Sequence, residues 1–199
     1  MTRLLLCRHG QTLWNAANRI QGQHDIDLDD LGRAQAEQAA TLLADERPDA
    51  LVASDLRRAW DTAAAIGAAT GLSARADPRL REIAYGDWEG LTGDEVEARY
   101  PEEYLRWKSG QQVRVSGVED LNQVVKRMVE GLSAAADLAP DGTVVVVGHG
   151  GSAKRGCAGL LGWSEDMVRT IRGMSNCHWM DLRRGRTGWR MYGYNLGGR

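Results

Sequence analysis

Cysteine, surplus charge and long apolar runs are all scarce in this chain of 199 residues, and each scarcity removes a class of function. The three cysteines, Cys7, Cys157 and Cys177, are far apart and set in apolar segments. That spacing offers neither a disulfide framework nor a CxxC metal site, so buried free thiols are expected. The formal net charge of −2 leaves no footprint for nucleic acid or an anionic membrane. Any anion site must therefore be built from local arginines. No apolar run approaches the roughly 18–20 residues of a membrane span. The apolar stretch after Met1-Thr2-Arg3 is too short for a signal-peptide core. A cytoplasmic protein with no membrane or nucleic-acid partner is expected. Walker and HExxH motifs are missing, as is any internal repeat. Asp25-Ile26-Asp27 lies in a polar loop without the glycine and terminal glutamate of a calcium loop.

What is present is a repeated arrangement. Leu4-Leu5-Leu6-Cys7 has the length and character of a buried strand and stops at Arg8-His9-Gly10. Thr143-Val144-Val145-Val146-Val147 does the same and runs into Gly148-His149-Gly150-Gly151. Strands that deliver histidine to their carboxyl ends beside glycine present chemistry at the rim of an α/β sheet. Between them, Asp29 predicts the cap of a helix over 31–46. Residues 50–53 predict a short buried strand, and Ser54 the cap of the next helix. In that helix Leu56, Trp60, Ala63 and Gly67 share a face, with Arg57 and Arg58 in the first turn. Two cations there oppose the helix dipole, which points to an anion nearby or to one solvated arginine face.

Residues 73–76 predict a weak strand. From 85 to 117 aromatic and basic residues mix, as expected of a cap insertion rather than a second domain. Residues 119–138 follow the i, i+3, i+4, i+7 pattern of an amphipathic helix. A helix from about 152 would leave Gly150 and Gly151 N–H groups free to cradle a phosphate. Segments 176–182 and 189–192 predict the last strands, and 197–199 should fray. Alternating strands and helices predict an α/β three-layer sandwich with a mainly parallel central sheet flanked by helices, forming one domain over 1–199 with a cap at roughly 85–117.

His9, His149, Arg8, Arg57/Arg58 and Glu82 all fall near the ends of predicted strands. Phosphoryl transfer needs an in-line nucleophile, cations around the equatorial oxygens and an acid for the leaving alcohol. A neutral histidine can attack phosphorus, and flanking arginines favour that form. The other histidine, as imidazolium or as an N–H donor, can share the equatorial charge. A carboxyl can serve as acid and then as base. Cys7 is no phosphatase cysteine, because Leu13 stands where its arginine should be six residues on.

Taken together, Arg8-His9-Gly10-Gln11-Thr12 with Asn15, Ser54-Asp55-Leu56-Arg57-Arg58-Ala59, Leu80-Arg81-Glu82, Gly86-Asp87-Trp88-Glu89-Gly90 and Gly148-His149-Gly150-Gly151 resemble the histidine phosphatase superfamily, the phosphoglycerate mutase-like proteins, over almost the whole chain. The resemblance implies His9 as the phosphorylated nucleophile and Glu82 as proton donor. It implies a phosphate pocket of Arg8, Arg58 and His149, with Asn15 and Gln21 contacting phosphate or substrate. Arg58, the arginine followed by alanine, takes the catalytic place rather than Arg57. Gln21-Gly22-Gln23, Gly173-Met174, Asn176 and Trp179 are similar to the glucosyl-3-phosphoglycerate phosphatase branch. One departure is Glu119-Asp120, where many relatives carry glutamate and serine; it would put an extra carboxylate at the pocket edge.

The expected activity is metal-independent and cofactor-free hydrolysis of a small phosphorylated metabolite, of sugar or glycerate type, through a phosphohistidine. A phosphoglycerate mutase and a non-catalytic phosphometabolite-binding module are the alternatives. The first would return an isomer rather than free phosphate, and the second would lack nucleophile or acid. Other readings stand beside these roles. Glu82 would otherwise pair with Arg79 or Arg81, Gln21 and Asn15 would be ordinary loop residues, and Trp88 a core residue. The apolar C-terminal strands leave a homodimer open.

Overall fold

The computed structural model describes residues 1–198, so Arg199, the last of the residues expected to fray, lies outside the described residues. Strand β1 (Thr2–Arg8) runs through the middle of a six-stranded sheet. Beside it lie β4 (Thr143–Gly148), β2 (Ala50–Ala53) and the two-residue β3 (Arg75–Ala76), all parallel. On its other side β5 (Trp179–Gly185) pairs antiparallel to β1 and β6 (Gly188–Leu196) antiparallel to β5, giving the order β3-β2-β4-β1-β5-β6. The mainly parallel α/β sandwich expected from the sequence is thus what the chain forms.

The period-2 alternation of strand side chains sorts the core into two faces. Leu4, Leu6, Val144 and Val146 pack on one side with Val124, Met128 and Leu132 of α6 (Leu121–Ala136) and Ala153 and Cys157 of α7 (Gly150–Leu161). Leu5, Cys7, Val145 and Val147 pack on the other with α2 (Asp30–Asp45) and α3 (Arg57–Thr70). Each fully buried leucine or valine is worth about 1.5–3 kcal/mol relative to exposure, so these faces hold β1 and β4 firmly. All three cysteines are free and buried; burial pushes Cys157 and Cys177 up to about 12, and Cys7 well above its ordinary value.

Several boundaries differ from the sequence expectation. Helix α3 starts at Arg57 after Leu56, which provides no side-chain cap. Ser54 instead meets His149. Trp60 is 39% exposed, and the buried side of α3 is Arg58, Ala59, Thr62, Ala63 and Ile66. Helix α7 begins at Gly150, two residues earlier than expected. Strand β5 begins only at Trp179, because Cys177 takes a positive φ of 55° in the turn before it.

The segment 85–117 leaves and rejoins the sandwich at one point. Tyr85 bridges Val118, and a Cβ on Gly86 would lie 1.9 Å from the Ser116 carbonyl oxygen. Both Gly86 and Gly117 have positive φ, so this neck requires glycine twice. Within the excursion, α4 (Gly93–Arg99) and α5 (Pro101–Lys108) close around Trp88, Val96 and Val113. Trp88 is fully buried and meets Tyr100 and Trp107 at centroid separations of 6.4 and 6.2 Å. Most aromatic residues here are therefore packing. The remaining helices are α1 (Leu13–Ala16) and α8 (Glu165–Thr170).

Candidate active site

Because β1 and β4 pair in register, Arg8 opposite Gly148, the residues that follow them emerge side by side. The rings of His9 and His149 lie 5.2 Å apart, and both are almost wholly buried. Nδ1 of His9 lies 2.6 Å from the Gly10 carbonyl oxygen. A carbonyl can only accept, so this nitrogen carries the proton and Nε2 keeps a free lone pair. Asn176 donates to the His9 carbonyl at 2.9 Å, and the Gly10 N–H donates to Thr62.

His9 titrates well below its ordinary value, first because it is buried and then because Arg58 and Arg8 stand beside it; the Gly10 carbonyl opposes this. His149 is depressed in the same way, by burial and then by Arg58, His9 and Arg8. The sequence left imidazolium open for the second histidine. Burial beside two guanidinium groups favours the neutral form. The Ser54 hydroxyl accepts the Leu56 N–H at 3.4 Å and sits 2.9 Å from His149 Nε2. Nδ1 of His149 is buried without a partner.

Arg58 is fully buried, at the inner face of α3. Its two terminal nitrogens donate to the carbonyls of His24 and Gly22 at 2.6 and 2.7 Å, and its Nε is unpartnered. Burial lowers it to about 10. Arg8 donates to the Met174 carbonyl at 2.6 Å, and its Nε is likewise buried and unpartnered. Burial lowers Arg8 as well, against the attraction of Glu82. Among the described residues neither forms an ion pair within 4 Å, although Arg57 reaches Asp27 on the outside. Two cations, Arg58 buried and Arg8 half-buried, held only by carbonyls make a site with strong demand for an anion.

Glu82 stands across the cavity. Its alternative partners are occupied, since Arg79 pairs with Asp77 and Arg81 with Asp55. Its carboxylate accepts from Gly151 N–H at 2.9 Å, Ser152 N–H at 2.7 Å and Ile83 N–H at 2.9 Å. In the first turn of α7, Gly151 N–H is thus taken by Glu82, and Gly150 is the glycine of the pair whose N–H is left for a phosphate. A Cβ on Gly151 would lie 2.8 Å from Glu82 Oε1, so only glycine lets the carboxylate reach the helix end.

Arg8, His9, Asn15, Gln21, Arg58, Glu82 and Gly150 all line one cavity of about 370 Å³. Of the residues expected to be catalytic or phosphate-binding, His149 alone is not in that lining; it packs against the His9 ring with its Nδ1 unpartnered. Asn15 turns its Oδ1 inward to the Thr12 N–H, which leaves its amide N–H₂ for the cavity. Oε1 of Gln21 is buried and unpartnered. Asp120 does not line the cavity, contrary to expectation. Its carboxylate caps α6 by accepting from Asn122 and Gln123 N–H. His24 contributes only its carbonyl, and its ring pairs with Glu89.

Three contributors escaped the sequence reading. Arg127 donates to the carbonyls of Arg79, Arg81 and Glu82 at 2.7, 2.6 and 3.0 Å while Glu119 takes its other N–H groups. Glu89 accepts from Gln23 and Tyr85 N–H, tying the loop that holds Arg58 to the neck of the excursion. Ser54 meets His149 Nε2 at 2.9 Å.

A family model described as the histidine phosphatase superfamily (branch 1) matches residues 4–197. A glucosyl-3-phosphoglycerate phosphatase of Mycolicibacterium vanbaalenii is 42% identical over 187 residues, covering 90% of this chain and 83% of the relative. A solved mycobacterial glucosyl-3-phosphoglycerate phosphatase in complex with VO3 superposes with a TM-score of 0.92 at 36% identity, over 99% of this chain and 100% of that one. A phosphoserine phosphatase of Entamoeba histolytica in complex with 3-phosphoglyceric acid superposes with a TM-score of 0.87 at 27% identity, over 98% of each chain.

Proposed function

Because the chain belongs to the histidine phosphatase superfamily and is a phosphatase of small phosphorylated metabolites, we propose that it hydrolyses glucosyl-3-phosphoglycerate or a close glycerate ester through phospho-His9. The observation that carries the chemistry is the free Nε2 of a neutral, buried His9 beside two guanidinium groups without carboxylate partners.

In the first step Nε2 of His9 attacks phosphorus in line, the P–O bond to the alcohol breaks, and protonated Glu82 gives its proton to the leaving oxygen. In the second step Glu82, now a carboxylate, takes a proton from water as the water oxygen attacks phosphorus. The P–N bond breaks and inorganic phosphate leaves. Arg8, Arg58 and the Nδ1–H of neutral His149 hold the equatorial oxygens, and Asn15 and Gln21 bind at the rim. The guanidinium groups supply the positive charge that a metal ion supplies elsewhere. The choice of substrate rests on the 42% identical relative.

The whole chain acts as one domain, with 85–117 as its cap. A cytoplasmic site of action fits three buried free thiols and the absence, among the described residues, of a helix long and apolar enough to cross a membrane.

The test is to mix enzyme and substrate, quench, and look for an acid-labile, alkali-stable phosphate on His9. His9→Ala should abolish both turnover and labelling, EDTA should leave the rate unchanged, and the products should be free phosphate and the alcohol. Full activity in His9→Ala refutes the nucleophile. An isomer in place of phosphate would indicate a mutase.

A further inference from the structure

The catalytic cavity does not end at the phosphate groups. Tyr85, Trp107, Gly151 and Lys154 line it and also line a second cavity of about 360 Å³. That second space is strongly cationic: Lys108, Lys154, Arg155 and Arg169 face it against a single carboxylate, Glu165. Most of these cations are committed. Arg155 is paired with Glu165, Arg169 donates to the carbonyls of Lys108 and Ser109 at 2.9 Å, and Lys108 lies over the Tyr104 ring at 5.2 Å. Lys154 differs. Among the described residues no carboxylate lies within 4 Å of it, and its ammonium donates only to the Ile171 carbonyl at 2.6 Å.

The position of Lys154 gives this ammonium a direction. It sits on α7 one turn, about 5.4 Å of rise, beyond Gly150, which packs on the Arg8 side chain. Helix side chains lean toward the helix N-terminus, so Lys154 leans back toward the end of α7 that carries Glu82. The aromatic faces of Tyr85 and Trp107 stand at the junction of the two cavities. An ester whose phosphate lay at His9 would pass its carbon skeleton between these rings.

Resting on the phosphatase reading above, we propose that Lys154 is a specificity residue, binding a carboxylate on the alcohol half of the substrate. An ammonium with two uncommitted N–H donors suits a carboxylate, whereas the phosphate position is built from guanidinium groups. The preferred substrates are then phosphomonoesters of hydroxy acids, and neutral sugar or polyol phosphates are poor ones.

The experiment compares 3-phosphoglycerate with glycerol 3-phosphate, which replaces the carboxylate by an uncharged hydroxymethyl group, in the whole chain and in Lys154→Met and Lys154→Arg. The wild type should favour 3-phosphoglycerate in kcat/KM by roughly tenfold to a hundredfold, the range of one charge-assisted hydrogen bond. Lys154→Met should bring the ratio toward one, mainly through KM for 3-phosphoglycerate, and Lys154→Arg should keep most of it. A wild-type ratio near one, or a ratio unchanged in Lys154→Met, overturns the assignment. If Lys154→Met does not fold, the wild-type ratio and the Lys154→Arg ratio decide. Turnover of p-nitrophenyl phosphate separates the two levels: hydrolysis of that ester without preference between the glycerol-derived pair sinks only the carboxylate subsite. Inertness toward all three esters sinks the phosphatase reading and this inference with it.

Discussion

Arg127 grips Glu82 from behind, donating to its carbonyl at 3.0 Å, while the Glu82 carboxylate points away into the first turn of α7. Glu119 in turn orients Arg127 through hydrogen bonds of 2.6 and 2.8 Å. Glu82 is thus clamped at both its backbone and its side chain, by elements distant in the chain.

Loosening the rear clamp should slow chemistry more than binding. Arg127→Met or Glu119→Gln is expected to lower kcat by roughly tenfold to a hundredfold, the usual effect of losing an outer-shell partner. The dissociation constant for inorganic phosphate should hardly move, since His9, Arg8 and Arg58 are untouched. The two changes should be non-additive in a double-mutant cycle. Equal losses in phosphate affinity and kcat would contradict the clamp.

Ser54→Ala removes the hydroxyl that meets His149 Nε2. We expect a fall in kcat of roughly tenfold or more, because a histidine in the wrong tautomer presents a lone pair where a donor is needed. Nitrogen chemical shifts of the imidazole should show Nδ1 protonated in the wild type and a mixture in the variant. An unchanged tautomer with unchanged kcat would rule the role out.

Acid should unfold this protein partly through its histidines. His9 and His149 titrate below the ordinary 6.5 when folded, and near 6.5 when unfolded. Below about pH 6.5 the unfolded chain gains protons that the folded chain does not. Stability therefore falls with pH from that point down to the folded values, with a slope approaching about 1.4 kcal/mol per pH unit per histidine. Above about pH 7 the contribution is flat. Urea titrations between about pH 5 and 7.5 should show the slope reduced in a His9→Asn, His149→Asn double variant. The same slope in both proteins would contradict the assignment.

Asp120→Ala should cost about 1 kcal/mol of stability through loss of the α6 cap, and Asp120→Ser should restore most of it. Neither should change the ratio of kcat/KM between phosphate esters, because the carboxylate lies outside the cavity lining. A shifted ratio would return Asp120 to the substrate site.

The histidines and Arg8 were legible because apolar runs end abruptly beside them, and a strand end announces itself in local composition; Glu82 follows no such run and was found through its match to the family motif. Arg58 separated from Arg57 only through its match to relatives, although the helix does bury one and expose the other. The start of α3 was misread for a physical reason. Ser54 has the sequence signature of a helix cap, but its hydroxyl is taken by His149, 95 residues away. Arg127 was hidden likewise, since its partners at 79–82 lie 45 to 48 residues back and leave no local period. Long-range polar contacts of this kind write nothing into the neighbouring residues.

The register of β1 with β4 also sets when the enzyme can exist. During synthesis the amino-terminal half exposes the strand that carries His9 long before the valine strand has left the ribosome, and until the two zip together there is only half a pocket. Activity should consequently switch on in one late event of translation, and fragments that stop before β4 should be inert even where they are folded.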